Sequence, residues 1–182
     1  SIVIRTNGGS QAAHTVIHDN HRHVFSNFGS GTLKGAKTHL SKFMLINPIF
    51  SILEYEKLSQ FLPVISVDPT CKLILPFDIF LNQNFEEART SKHGSCGHGI
   101  GECEERSLYH PIHINDYIDM DILTSLRNRW VYDRIQKMGI PLSEKYEKLI
   151  LNDNILEAYL IDLERYKNII TIKPDEDVTK ND

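Results

Sequence analysis

The chain has 182 residues, 41% of them hydrophobic and 24% charged, with a net charge of −4; this suits one globular domain, or part of a larger one, with a buried core. The slight acidity excludes nucleic-acid binding by bulk charge, and no apolar run approaches the roughly 20 residues of a membrane-spanning helix. The three cysteines lack the spacing of a disulfide framework; read as reduced thiols, and with no signal peptide ahead of the first strand, they predict a cytoplasmic protein.

In chain order, Ser1-Ile2-Val3-Ile4-Arg5 is rich in β-branched residues and reads as a strand ending at the turn Asn7-Gly8-Gly9-Ser10. Residues 11–17 suit a helix or a second strand. His18 to Asn20 reads as a hairpin turn, with a returning strand over residues 22–25 and a glycine turn at Asn27-Phe28-Gly29-Ser30-Gly31. Phe43 to Ile46 forms a short buried strand. Asn47 then caps a helix with Pro48 at its first position, where a missing N–H costs nothing. Its apolar faces run through Ile49, Ile52 and Leu53 as far as Gln60. Two more strands follow at 64–67 and 71–75, and Asp78 is placed to cap a helix carrying Phe80, Leu81 and Phe85. After a glycine-rich stretch, Ile118, Ile122, Leu126, Trp130 and Met138 mark an amphipathic helix with Asp119 and Asp121 in its first turn. Leu142 to Leu163 suggests a second long helix, with an interruption at Asn152-Asp153-Asn154. Residues 174–182 are polar and read as a tail.

Chemistry concentrates in two glycine-rich bends. In Gly8-Gly9-Ser10-Gln11-Ala12-Ala13-His14-Thr15, glycines directly after a strand allow backbone N–H groups to approach a ligand. His14 is then able to give a hydrogen bond or a proton to a phosphoryl oxygen, and Gln11 has an amide that reads a base or hydroxyl. A hairpin turn with a structural histidine is the competing reading. The second bend is Gly94-Ser95-Cys96-Gly97-His98-Gly99-Ile100-Gly101. Its amides, with the Ser95 hydroxyl and the Cys96 thiol, suit a phosphate, although no Walker lysine follows; a plain flexible connection is the alternative. Arg106, just beyond, suits either a phosphate clamp or a solvated charged face. Two histidine groups also raise the question of zinc: His14, His18, His21 and His23, then His93 and His98 with Cys96 and Cys103. Neither has the paired short spacings of a closed site, so surface histidines are the simpler reading.

The ordered set "GGSQAAHTV", "GSG", "LILP" and "GSCGHGIGE" resembles adenylosuccinate synthetase over residues 1–106. That family carries Gly-Gly-x-Asn-Ala-Gly-His-Thr-Val, a Pro-Ser-Gly turn and Gly-Thr-Thr-Gly-x-Gly-Ile-Gly-Pro in the same order. The resemblance implies a GTP- and Mg2+-dependent ligase that joins aspartate to a purine nucleotide, IMP or, in a phage-borne branch, a deoxyguanylate. GTP phosphorylates the purine 6-oxygen, and aspartate then displaces phosphate. By position, Gly8, Gly9, His14 and Thr15 would contact the GTP phosphates, with His14 the catalytic residue. Ala13 would face Mg2+ through its backbone carbonyl. Gln11, Ser95, Cys96 and Gly97 would hold the acceptor nucleotide, with Arg106 nearest to the family's phosphate arginine, whose own register falls on His110. Cys96 replaces a threonine and is a weaker donor; Glu102 replaces a proline and brings a negative charge.

The resemblance further implies an α/β fold with a mainly parallel central sheet, flanking helices and a helical subdomain. It divides the chain into a nucleotide-binding core segment at 1–116, a helical subdomain at 117–172 and a polar tail or linker at 173–182. It also implies a homodimer or larger assembly. The family's opening Gly-Asp-Glu-Gly-Lys-Gly-Lys loop and its later aspartate- and guanine-binding stretches have no counterpart in these residues, so the chain is expected to be a middle segment. The alternatives are a catalytically inactive purine-nucleotide sensor or assembly subunit, and an interaction module presenting its long helices to a partner.

Overall fold

The computed structural model describes residues 1–6, 8–10, 12–89, 94 and 96–178. They form two compact units: Ser1–Leu73 with His113–Asn115 and Asp162–Asp182, and Ile74–Ile112 with Asp116–Ile161. The units interleave in sequence, whereas the expected division at 116–117 and 172–173 is a linear one.

In the first unit, β1 (Ile2–Arg5) is followed by β2 (His14–His18) and β3 (His21–Phe25), which form an antiparallel hairpin. Asp19 and Asn20, at φ 46° and 66°, make the two-residue turn whose twist matches that of the strands. This resolves residues 14–17 as strand. β4 (Lys37–Leu40) pairs in parallel with β1 on one side and β6 (Ile65–Val67) on the other. Between them in sequence lie β5 (Leu45–Ile46) and α1 (Pro48–Lys57). Asn47 caps α1 as expected, its side chain accepting from the Ile49 and Phe50 N–H groups at 3.1 and 3.3 Å. The α-helix stops at Lys57 rather than Gln60, and a 3-10 turn covers Ser59–Phe61. β7 (Lys72–Leu73), shorter than the expected 71–75 strand, pairs with β5.

The second unit holds α2 (Pro76–Ala88), α3 (Ile100–Ser107), α4 (Met120–Met138) and α5 (Glu144–Ile150), and the unit boundary falls within α6 (Asp153–Ile169). The interruption expected at 152–154 is real. Asn152 accepts from the Asn154 N–H at 3.1 Å, and Arg127 from α4 donates to the Ile150 carbonyl and to Asp153. A continuous helix would remove those partners. Leu81, Phe85, Leu123, Trp130, Tyr146 and Leu156 are buried here. Phe25, Phe28, Leu40, Ile65, Val67 and Tyr166 are buried in the first unit.

Several elements have no counterpart in the sequence reading. β4 is a middle strand of the four-stranded parallel sheet, in the order β1-β4-β6-β8, where β8 is Thr171–Ile172. Its sequence, Lys-Thr-His-Leu, has no apolar run because two of its buried side chains are polar and paired. The Thr38 hydroxyl accepts from the Gly29 N–H at 2.8 Å. The His39 ring lies between the Ser66 hydroxyl at 2.9 Å and the Asp175 carboxylate at 2.8 Å. Asp175 opens α7 (Asp175–Val178). Residues 173–178, read above as part of a polar tail, are therefore tied to the sheet: the Lys173 N–H reaches the Val67 carbonyl and the Asp175 N–H reaches Asp68 at 2.9 Å.

Burial pushes the Asp68 carboxyl up, but hydrogen bonds from the Thr70 hydroxyl and N–H and the Asp175 N–H outweigh it and hold the carboxyl below its ordinary value of 3.8. A depressed carboxylate stabilises the fold above its unfolded pKa, and that contribution is lost as pH falls through the folded value. Asp68→Asn should therefore cost about 1–2 kcal/mol at neutral pH. It should also flatten the acid limb of stability, as read by urea unfolding at pH 7 and pH 3. Equal acid limbs in both proteins would contradict this.

Candidate functional site

The first bend leaves the carboxyl end of β1. Gly8, at φ 66°, pairs with Met44, and its carbonyl accepts from the Leu45 N–H at 2.9 Å. A bend at this point thus stays tethered to the chain that enters β5. The Gly9 carbonyl accepts from the Ala12 N–H at 3.2 Å, which closes the turn. Arg5 holds it from below, donating to the Ala12 carbonyl at 2.7 Å and to the Phe28 carbonyl at 3.0 Å. Beyond the turn, Ala13, His14 and Thr15 are exposed as the hairpin begins. Gln11 lies outside the described residues.

The adjoining turn at 26–28 is built around a carboxylate. Glu54, buried on α1, accepts from the Ser26 and Asn27 N–H groups, the latter at 2.6 Å, and from the Asn27 side chain at 2.9 Å. The amides of this turn are filled by the protein's own anion.

In the second unit the glycine stretch leads into a helix that the sequence reading did not include. Gly99 precedes α3 at φ 76°, and a Cβ there would lie 2.8 Å from the Ile79 nitrogen on α2. Only glycine combines that backbone angle with such a close approach. Asn82 accepts from the Gly99 N–H at 3.2 Å, and Gln83 donates to the Gly97 carbonyl at 3.1 Å, so α2 shapes the loop. Gly99→Ala is expected to cost about 2–4 kcal/mol, from a left-handed angle and an overpacked contact; a loss under 1 kcal/mol in urea unfolding would contradict it. Cys96 is exposed and Gly97 half-buried. Ser95 lies outside the described residues.

Two charges near this loop differ from expectation. Glu102 does not confront an incoming anion unpaired: Arg134 from α4 grips it with two bonds at 2.6 and 2.9 Å. Arg106 is fully buried, and its guanidinium is engaged by both oxygens of Asp78 at 2.9–3.1 Å and by the His110 carbonyl at 2.8 Å. Burial opposes the Arg106 charge, but Asp78 prevails and raises its pKa. Both the surface reading and the phosphate-clamp reading of Arg106 are therefore corrected: it joins α2 to α3. Asp78 also stands at the third position of α2 rather than at its cap, accepting from the Leu75 N–H at 2.9 Å.

The remaining chemistry is quiet. Cys71 and Cys103 are buried thiols pushed up to about 12, chiefly by burial, so both stay protonated at neutral pH. Hairpin register places His14, His18, His21 and His23 on one face. Among the described residues, however, no three His, Cys, Asp or Glu side chains converge to hold a metal. No described helix is long and apolar enough to cross a membrane.

Gly8, Gly9, Ala13, His14 and Thr15 thus belong to the first unit, and Cys96, Gly97 and Arg106 to the second. Sequence reasoning missed Arg5, Glu54 and Arg134. A charge closing an apolar strand was a signal for Arg5, but Glu102 and Arg134 are 32 residues apart and nothing local links them.

A parallel sheet with a glycine bend outside a strand's carboxyl end defines an α/β protein of the kind that offers backbone amides to ligands at strand ends. The family model for adenylosuccinate synthetase matches residues 1–173, and the chain belongs to that family. It is 30% identical to the adenylosuccinate synthetase of Borrelia turicatae, over 80% of this chain and 32% of that protein. With the Psychrobacter enzyme it shares 32% identity over 75% of this chain and 33% of that protein. The fully ligated adenylosuccinate synthetase structure from Plasmodium falciparum superposes with a TM-score of 0.65 at 17% identity, covering 94% of this chain and 44% of that one, which supports the fold. The chain spans about a third of the length of the curated relatives it matches.

Proposed function

We propose that this chain is part of a GTP-dependent ligase that joins aspartate to a purine nucleotide, IMP or a guanylate, in purine nucleotide biosynthesis. The observation that carries the reading is the first bend: a left-handed glycine after β1, a turn held by Arg5, and an exposed His14 directly beyond it. In this reading Gly8, Gly9 and Thr15 take the GTP phosphates, and His14 donates to a phosphoryl oxygen, where it would stabilise charge passing to the purine 6-oxygen. Gln11, Ser95, Cys96 and Gly97 take the acceptor nucleotide. Arg106 is withdrawn from that set because Asp78 occupies it.

The described residues do not build a Mg2+ site on their own. Ala13 supplies at most one backbone carbonyl, the neighbouring Ala12 carbonyl is taken by Arg5, and no carboxylates gather there.

The test measures GTP turnover that requires both aspartate and a purine monophosphate, alongside thermal shifts with each nucleotide. A nucleotide at 100 times its Kd should add about 2.7 kcal/mol of stability. Nucleotide-dependent shifts without any turnover would instead support an inactive sensor or assembly subunit. The Cys96 thiol in place of a stronger donor favours that second reading. An absence of shifts with every purine nucleotide would defeat both. Homodimerisation and a cytoplasmic setting belong to the same proposal.

A further inference from the structure

A cavity of about 640 Å3 opens in the second unit between the end of α3 and the C-terminal half of α4. Its volume falls within the range of about 300–1,000 Å3 typical of small-molecule sites. Leu108 and Tyr109 form one wall and are 71% and 63% exposed, while Trp130, only 3% exposed, lies at the inner side. The His110 ring meets Trp130 edge-on with centroids 6.5 Å apart. Leu108 and Tyr109 therefore supply most of the exposed apolar lining.

Both cations that line the cavity are paired with carboxylates. Lys137 pairs with Glu105 at the rim, and Arg134 pairs with Glu102 deeper down. Asp133 adds one further negative charge. An anion entering here would meet no unpaired lysine or arginine. Hydrogen-bond donors remain available all the same. A guanidinium carries five N–H donors, and Arg134 gives Nε and Nη2 to Glu102. Its Nη1 has no partner among the described residues. The guanidinium carbon also lies 5.9 Å from the centroid of the Trp130 ring.

We infer that this cavity is a small-molecule site for a flat, uncharged heteroaromatic ring bearing carbonyl or ring-nitrogen acceptors. The ring lies against the exposed Tyr109 side chain, beside the His110 and Trp130 rings, and an acceptor takes the free edge of Arg134. This site uses neither glycine bend and asks for no phosphate, although His110, at the register of the family's phosphate arginine, is part of its lining.

Trp130 is the sole tryptophan, so the protein has a single indole N–H signal that reports on this cavity. The experiment titrates caffeine, which is flat, uncharged and rich in acceptors, into 15N-labelled protein and follows that signal. A saturable shift with Kd near or below about 1 mM is expected. Tyr109→Ala removes an exposed wall without touching the core, and should weaken binding about fivefold. Tyr117→Ala, 79% exposed and outside the cavity, should leave it unchanged. Theophylline-7-acetate, the matched carboxylate, should bind at least about fivefold more weakly than caffeine. The inference is overturned by an indole signal that does not saturate up to about 10 mM, by equal affinity in Tyr109→Ala, or by tighter binding of the carboxylate.

Discussion

Replacing Arg106 with methionine is expected to destabilise the fold by about 3–5 kcal/mol, because Asp78 would be left as a buried, unpaired charge. Both side chains are fully buried and meet through three contacts at 2.9–3.1 Å. Burial already pushes the Asp78 carboxyl above its ordinary value against the pull of Arg106; without that partner, the carboxyl would fold most cheaply by taking up a proton. The single variant should therefore recover part of its stability as pH is lowered toward 5, a reversal of the usual acid trend. Adding Asp78→Asn in the same chain should restore part of the loss at neutral pH, since the amide still accepts from Leu75. Urea unfolding of the three proteins measures all of this, and a loss below 1 kcal/mol for Arg106→Met would show that the pair is dispensable. The outcome also bears on function: an arginine whose removal unfolds α3 is a structural strut, whereas one that clamps phosphate would change ligand affinity and leave stability nearly intact.

His14→Ala should reduce nucleotide- and aspartate-dependent GTP turnover by about 10²–10⁴-fold, the usual contribution of a positioned acid or hydrogen-bond donor. The same change should leave unfolding stability within about 0.5 kcal/mol, because His14 is exposed at the start of β2. On the proposed role, in which His14 meets charge that develops during transfer, the loss is expected mainly in kcat. Unchanged turnover in a stable variant would remove His14 from the chemistry and leave the first bend as a turn.

Some of the fold was legible residue by residue. Asn47-Pro48 announced α1, Asp119 announced α4, and Asp19-Asn20 announced the hairpin, because each meets its requirement within three or four positions. The break at Asn152 was visible for the same reason. β4 was not, since Thr38 and His39 are polar and become suitable interior residues only when Gly29, Ser66 and Asp175 arrive from elsewhere. α3 was hidden by the glycines that open it. Arg106 looked like a member of a solvated charge run and Glu102 like a negative charge set against an anion; their partners, Asp78 and Arg134, lie 28 and 32 residues away.

By itself, the sequence determined the family and the two bends, because glycine spacing after a strand is a local property and its order along the chain survives translation into structure. It also determined where α1 and α4 start. Only the tertiary structure decided which charges remain available for chemistry. Whether an arginine meets solvent, a ligand or a buried aspartate depends on which helix packs against it, and no window of neighbouring residues contains that information. Arg106, withdrawn into the second unit, and His14, left exposed on the hairpin, are the two sides of that decision.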